Sequence, residues 1–169
     1  LHEGPLCFNE DGTELFITTS CANDKKRWFD ASNNTRLCIK HYLKTDSTWV
    51  LQDLPFVDPM FNYAHPALSP DAKTLVFSSD GFGSIGGMDL FSVERDGEGK
   101  WGIPTPLPEG INSPGREVFP SFKQNGELYF SSDLLVGFGG LDLFRTALND
   151  GLWSLPQNIG APLNSPKDD

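Results

Sequence analysis

Short runs of apolar and β-branched residues separated by turn formers dominate this chain, and the runs recur. Glu14-Leu15-Phe16-Ile17-Thr18-Thr19-Ser20, Lys73-Thr74-Leu75-Val76-Phe77-Ser78-Ser79 and Glu127-Leu128-Tyr129-Phe130-Ser131-Ser132 each have the length and residue types of a strand. A turn precedes each one, at Asn9-Glu10-Asp11-Gly12, Ser69-Pro70-Asp71-Ala72 and Lys123-Gln124-Asn125-Gly126, with a shorter apolar run before it. The pattern predicts three hairpins, over 2–20, 64–80 and 117–133. A third strand follows in each unit, at Arg36-Leu37-Cys38-Ile39-Lys40, Asp89-Leu90-Phe91-Ser92-Val93 and Asp142-Leu143-Phe144-Arg145-Thr146. A fourth, shorter one holds Trp49, Trp101 or Trp153. Pro104 and Pro156 come soon after two of these tryptophans, and proline is tolerated mainly on a sheet's edge, so the fourth strand belongs outside and the first inside.

The units are copies of one another. Gly86-Gly87-Met88-Asp89-Leu90-Phe91 returns 53 residues later as Gly139-Gly140-Leu141-Asp142-Leu143-Phe144. Ile111-Asn112-Ser113-Pro114 likewise returns as Leu163-Asn164-Ser165-Pro166. One such sheet leaves apolar side chains on both faces and must stack on its own copy. The fold class expected is therefore all-β, a β-propeller of four-stranded antiparallel blades. About three blades occupy 1–169, with repeats near 2–58, 60–114 and 116–166. Propellers close with roughly 4 to 8 blades, so the chain is expected to be a segment of a larger one. An antiparallel meander puts the loops between strands two and three, together with the links between units, on one rim, where the irregular segments gather.

Composition adjusts this picture. With 38% hydrophobic and 21% charged residues, 17 Gly and 13 Pro, the chain is globular and rich in turns. Its 13 basic and 23 acidic residues give a formal charge of −10, which argues against nucleic acid and anionic membrane surfaces as partners. No apolar run approaches a spanning length, so direct membrane insertion of this segment is not expected. The three cysteines, Cys7, Cys21 and Cys38, all fall in the first repeat. Cys38 aligns with Phe91 and Phe144 as a small core hydrophobe, and a Cys21 to Cys38 bridge is the sharper alternative.

The Ser69-Pro70-Asp71 turn, the Phe77-Ser78-Ser79-Asp80 strand end and the Gly-Gly-x-Asp-Leu-Phe box resemble the WD-like propeller repeats of the TolB type. Their pairing with a tryptophan strand and an Asn-Ser-Pro segment is similar to the version in Bacteroidetes envelope proteins, where a propeller sits beside an OmpA-like peptidoglycan-binding domain, as in PorE-like lipoproteins of type IX secretion. That resemblance implies a periplasmic, outer-membrane-associated module with a protein or peptidoglycan-associated partner. The first repeat departs from the pattern, since Arg36 stands in place of Asp89 and Asp142 and no Gly-Gly precedes it.

Candidate chemistry is sparse. Gly81-Phe82-Gly83-Ser84-Ile85-Gly86 satisfies GxGxxG after a strand, but a dinucleotide site needs a helix N-terminus behind the glycines and another strand follows here, so no cofactor is expected. Asp89 and Asp142 lack the alternating oxygen ligands of a calcium loop and are expected to accept hydrogen bonds from their own glycine loops, leaving no metal site. His2, His41 and His65 are isolated, and His65, on an inner strand before Pro66, is expected to be a hydrogen-bonded structural histidine, with a place facing the central channel as the alternative. No nucleophile sits in a catalytic setting, so the chain is expected not to be an enzyme. The loop at 21–34 stands apart. Ser20 and Arg36 enclose 15 residues where Asp80 and Asp89 enclose 8, and the excess gathers Lys25, Lys26 and Arg27 beside Trp28 and Phe29. These types anchor interfaces, although the two aromatics could equally cap their own blade. Together with Phe82 and Phe138 they form the candidate binding rim. The function expected is protein or cell-wall-component binding. A gating propeller of a prolyl-oligopeptidase-like enzyme and a glycan-binding propeller are the alternatives.

Overall fold

The computed structural model describes residues 3–23, 26–27, 29 and 33–169, with the backbone alone at 22–23 and 26–27. The strands are β1 (Glu3–Phe8), β2 (Glu14–Ser20), β3 (Ala22–Asn23), β4 (Lys26–Arg27), β5 (Leu37–Lys44), β6 (Trp49–Gln52), β7 (Tyr63–Leu68) and β8 (Thr74–Ser79). They continue with β9 (Asp89–Glu94), β10 (Thr105–Pro106), β11 (Glu117–Phe122), β12 (Glu127–Ser132), β13 (Asp142–Asn149), β14 (Leu152–Trp153) and β15 (Gln157–Asn158). No α-helix occurs among the described residues.

Three antiparallel sheets follow one another along the chain, in the orders β1-β2-β5-β6, β7-β8-β9-β10 and β11-β12-β13-β14, with β15 also on β13. The first strand is an edge in every sheet, and β7 lies against both β1 and β11. The first strands thus meet on the inside and the fourth lie outside, as the prolines require. Each first strand has a bulge where its partner register slips, between Glu3 and Leu6, Ala64 and Ala67, and Val118 and Ser121. Every slip spans an X-Pro step, Gly4-Pro5, His65-Pro66 or Phe119-Pro120, where proline has no N–H to give the ladder.

The period of two decides the packing. Successive residues of β8 enter different cores, because alternate strand side chains leave opposite faces. Leu75 and Phe77 join Phe91 and Val93 against Phe16 and Ile39 of the first sheet. Val76 and Leu90 face Leu128, Phe130 and Phe144 of the third. The middle sheet therefore has no solvent side at all.

The outer strand differs from expectation in two sheets. In the first, β6 is continuous and holds Trp49. In the second, Trp101 makes one isolated bridge to Arg95, and the chain rejoins beyond Pro104 as β10, pairing Phe91 and Ser92. In the third, β14 and β15 flank Pro156, β14 pairing Leu148 and Asn149 at the end of β13 and β15 pairing Phe144 and Arg145 nearer its middle. Proline cannot donate and its ring diverts the backbone, so the edge strand is interrupted and then resumes.

A polar clamp joins the first two sheets. Glu14 is buried and receives both Arg95 nitrogens, Nη1 at 2.8 Å and Nη2 at 3.0 Å, while the His41 Nε2 lies 2.8 Å from its Oε1. His41 stacks on Phe16 and Arg95 lies over Trp101, so the charges are held among rings. Burial pushes the Glu14 carboxyl up, but the His41 and Arg95 donors outweigh it and hold the group below the ordinary glutamate value of 4.5. A carboxyl lowered in the folded state stabilises above that value and loses the contribution as pH falls through its folded pKa. The stability gap between the wild type and Glu14→Gln should therefore shrink below pH 4.5 in urea titrations; a gap constant from pH 7 to pH 3 would remove the clamp's role. Phe77→Ala should lower stability by about 3–5 kcal/mol, read from the urea midpoint.

Candidate functional site: the loop rim

The loops after β2, β8 and β12 share one rim with the links between sheets, and three repeated motifs lock them to one another. Asp89 Oδ2 accepts the amides of Ile85 and Gly86, and Asp142 Oδ2 accepts those of Phe138 at 2.7 Å and Gly139 at 3.0 Å. Each aspartate thus closes its own glycine loop, as expected of a short acceptor near its own backbone. Asn112 behaves like a strand residue. Its Oδ1 accepts Leu90 N at 2.8 Å and its Nδ2 donates to Leu90 O at 3.0 Å, and Asn164 does the same with Leu143 at 2.8 and 2.9 Å. The Asn-Ser-Pro backbone consequently runs so close to the glycine box that a Cβ on Gly86 would meet the carbonyls of Ser113 and Gly115. Gly139 is crowded in the same way by Ser165 and Lys167, which explains the glycine at both positions.

The Ser-Ser-Asp strand end completes the lock. Asp80 accepts Asn62 N at 2.6 Å and Asn62 Nδ2 at 2.7 Å, and Asp133 accepts Arg116 N and Arg116 Nε, both at 2.7 Å. Each aspartate grips the residue that introduces its own sheet. Glu117 is buried and accepts Ser113 N, Ser113 Oγ and Ser132 Oγ at 2.6–2.9 Å. Burial, with Asp89 nearby, pushes its carboxyl up against the pull of these donors.

The first sheet solves the same problem covalently. Strand two starts at Glu14, Thr74 and Glu127, and five residues on lie the pairs Thr19 with Cys38, Ser79 with Asp89 and Ser132 with Asp142. Cys38 therefore occupies the aspartate position. Arg36 does not stand there, and Cys38 does not match Phe91 or Phe144. Residues 20–37 number 18 against nine in each of 80–88 and 133–141, so the first loop is longer by nine rather than seven. Cys38 is bonded to Cys21 with a Cα separation of 5.0 Å, correcting its assignment as a plain core hydrophobe. Cys7 is a free thiol that burial pushes up to about 12, leaving it protonated and unreactive.

Among the candidate rim residues, Lys25 and Trp28 lie outside the described residues. Lys26 and Arg27 form β4, paired antiparallel with β3 immediately after Cys21. Phe29 is 46% exposed and bridges Thr35. Phe82 and Phe138 are 93% and 57% exposed on the second and third loops. The three rings thus sit on three separate loops. His65 lies in the bulge of the inner strand β7 with φ 53°, its ring 4.1 Å from that of Phe119. Its amide donates to Thr18 Oγ1 at 2.8 Å, and burial lowers its pKa to about 4, so it is neutral. Residues 81–86 lead into strand β9, so no helix end stands behind the glycines.

Clefts on both rims flank the sheets. One of about 270 Å³ opens beside Phe82 and is walled by Phe56, Phe61, Tyr63, Phe77, Ile103 and Pro104. The linker aromatics Phe56 and Phe61 were not singled out from sequence, although the run from Leu54 to Tyr63 holds three aromatic residues and two prolines. Another, of about 340 Å³, lies on the opposite rim between the hairpin tips at Ser69-Pro70-Asp71 and Gln124-Asn125-Gly126.

No protein-family model matches the chain, and no curated protein matches it. Among solved structures, TolB from Acinetobacter baumannii superposes with a TM-score of 0.55 at 11% identity, over 95% of this chain and 33% of that one. The three sheets are blades of a β-propeller. A puromycin-hydrolysing peptidase of Mycobacterium tuberculosis gives a TM-score of 0.51 at 17% identity, over 94% of this chain and 23% of its own. The propeller segment spans about a third or less of either chain, and at these identities the likeness concerns the fold alone.

Asp142→Ala removes a buried acceptor of two loop amides and should cost about 1–3 kcal/mol in thermal or urea unfolding, with no change in calcium response. A calcium-dependent rise in melting temperature that the variant loses would assign Asp142 to a metal instead.

Proposed function

We propose that this propeller segment is a non-enzymatic binding module whose loop rim, at residues 21–34, 81–88 and 134–141, captures a protein or a cell-wall component. The observation that carries this reading is the division of labour on the rim. The aspartates, asparagines and glycines of the repeat are engaged with backbone, while Phe29, Phe82 and Phe138 are left to solvent, the latter two on loops that those clamps fasten. With one oxygen of each clamp aspartate taken by loop amides, recognition rather than bond chemistry falls to the exposed side chains.

The compartment proposed is the periplasm, with the module associated with the outer membrane and working beside envelope proteins of the PorE-like kind. The Cys21–Cys38 bridge supports an oxidising compartment. The fold likeness to TolB and the repeat motifs support the same setting. A glycan ligand is the second reading, favoured by Phe82 standing beside an aromatic cleft. Replacing Lys26, Arg27 and Trp28 together by alanine should abolish capture of partners from an envelope extract with the melting temperature unchanged. Undiminished capture by the triple variant would refute the rim.

A further inference from the structure

The second and third rim loops have the same length and the same aspartate clamp, yet they treat one position in opposite ways. Two residues beyond Asp133, Leu135 folds back against the cluster that contains Leu107 and Ile111. Two residues beyond Asp80, Phe82 points outward and is 93% exposed. Beside it lies the apolar cleft of about 270 Å³ walled by Phe56, Phe61, Tyr63 and Ile103. The third blade fills this part of its rim with a side chain of its own, and the second does not.

We propose that the blade 2 cleft is a receptor pocket for one large apolar side chain of an extended, positively charged peptide, which occupies the volume that Leu135 takes in the third blade. The proposal rests on the rim-binding reading and names the ligand chemistry for one part of it. Size fits a single side chain, since the cleft is smaller than the roughly 300–1,000 Å³ of sites that take drug-sized molecules. The walls are aromatic rings, with Phe56 and Phe77 stacked at 5.6 Å, and Ile103 at the mouth is 88% exposed. Phe82 stands where it can close over an inserted group.

Charge selects the flanks of the peptide. Asp58 lines the cleft, and the chain as a whole carries −10, so cationic neighbours of the apolar anchor are favoured and acidic ones repelled. Polar partners for a sugar are few. The Ser79 hydroxyl is committed to Asn62 O at 2.6 Å, and Asp80 to Asn62 and Arg36. A polyhydroxylated ligand would leave its own groups unpaired here, whereas a leucine or phenylalanine side chain would not.

The test uses the full chain and short capped peptides followed by NMR. Ac-Lys-Leu-Lys-amide should shift the Phe82, Tyr63 and Ile103 resonances saturably. Ac-Lys-Ala-Lys-amide and Ac-Glu-Leu-Glu-amide should each bind at least about tenfold more weakly, the first through lost apolar burial and the second through charge. Ile103→Lys, at an exposed wall, should abolish the shifts with the fold intact. Phe82→Leu copies the Leu135 side chain and should raise the melting temperature while removing binding, because the cleft then fills itself. Equal binding of the alanine peptide, preferential binding of cellotriose at the same resonances, or a large loss of melting temperature in Phe82→Ala would each overturn the proposal, the last by showing that Phe82 closes its own cleft. These titrations read the cleft without residues 26–28. Failed titration with envelope capture retained therefore overturns the peptide pocket alone, and failed capture with saturable peptide binding overturns the wider rim.

Discussion

On the second strand of the middle sheet, adjacent side chains both leave water, and they leave it in opposite directions. Leu75 and Val76 are neighbours in sequence, yet one packs toward the first sheet and the other toward the third. A sheet with two apolar faces needs a partner on each side, so copies stack, and stacking with the first strands together produces the fan. The link between sheets must then travel from the outer edge of one to the inner edge of the next. Those crossings share a rim with the loops after each second strand, and the molecule's irregular backbone concentrates there.

Irregular backbone carries donors and acceptors that a ladder would otherwise satisfy, and the repeated residues meet that need. Asn112 and Asn164 supply a donor and an acceptor in place of a neighbouring strand, and Asp89 and Asp142 collect loop amides. Gly86 and Gly139 let the two backbones approach. The residues that recur most faithfully are thereby the ones least available to a ligand. The copies differ instead at Phe82 against Leu135 and in the length of the first loop.

Strand composition, turn residues and the repeat interval made the sheets, their order and the inside position of the first strand legible before any coordinates. The register of the first repeat was not. Comparing short boxes across a loop of different length leaves the gap free to slide, and Arg36 was matched to Asp89 when the pairing of Thr19 fixes Cys38 there. The hairpin side of the strand, anchored at Glu14 and Thr74, carries that information, and the loop side does not. Interrupted outer strands were half visible, since Pro104 and Pro156 mark the break but cannot say that pairing resumes beyond it. The cleft was hidden because its walls add a link, a loop and an outer segment to strand residues, and no periodicity connects them.

The exchange of an aspartate for a disulfide in the first blade changes what that blade can tolerate. A carboxylate that must reach amides three and four positions upstream works only while the excursion keeps its length and course, so insertions there would unfasten the end of the sheet. A sulfur bridge makes no such demand, because it joins the two strands below the excursion and is indifferent to what hangs above. One copy in this array can therefore lengthen, shorten or diversify the loop between its second and third strands without loosening the scaffold, while its siblings are confined to a fixed span.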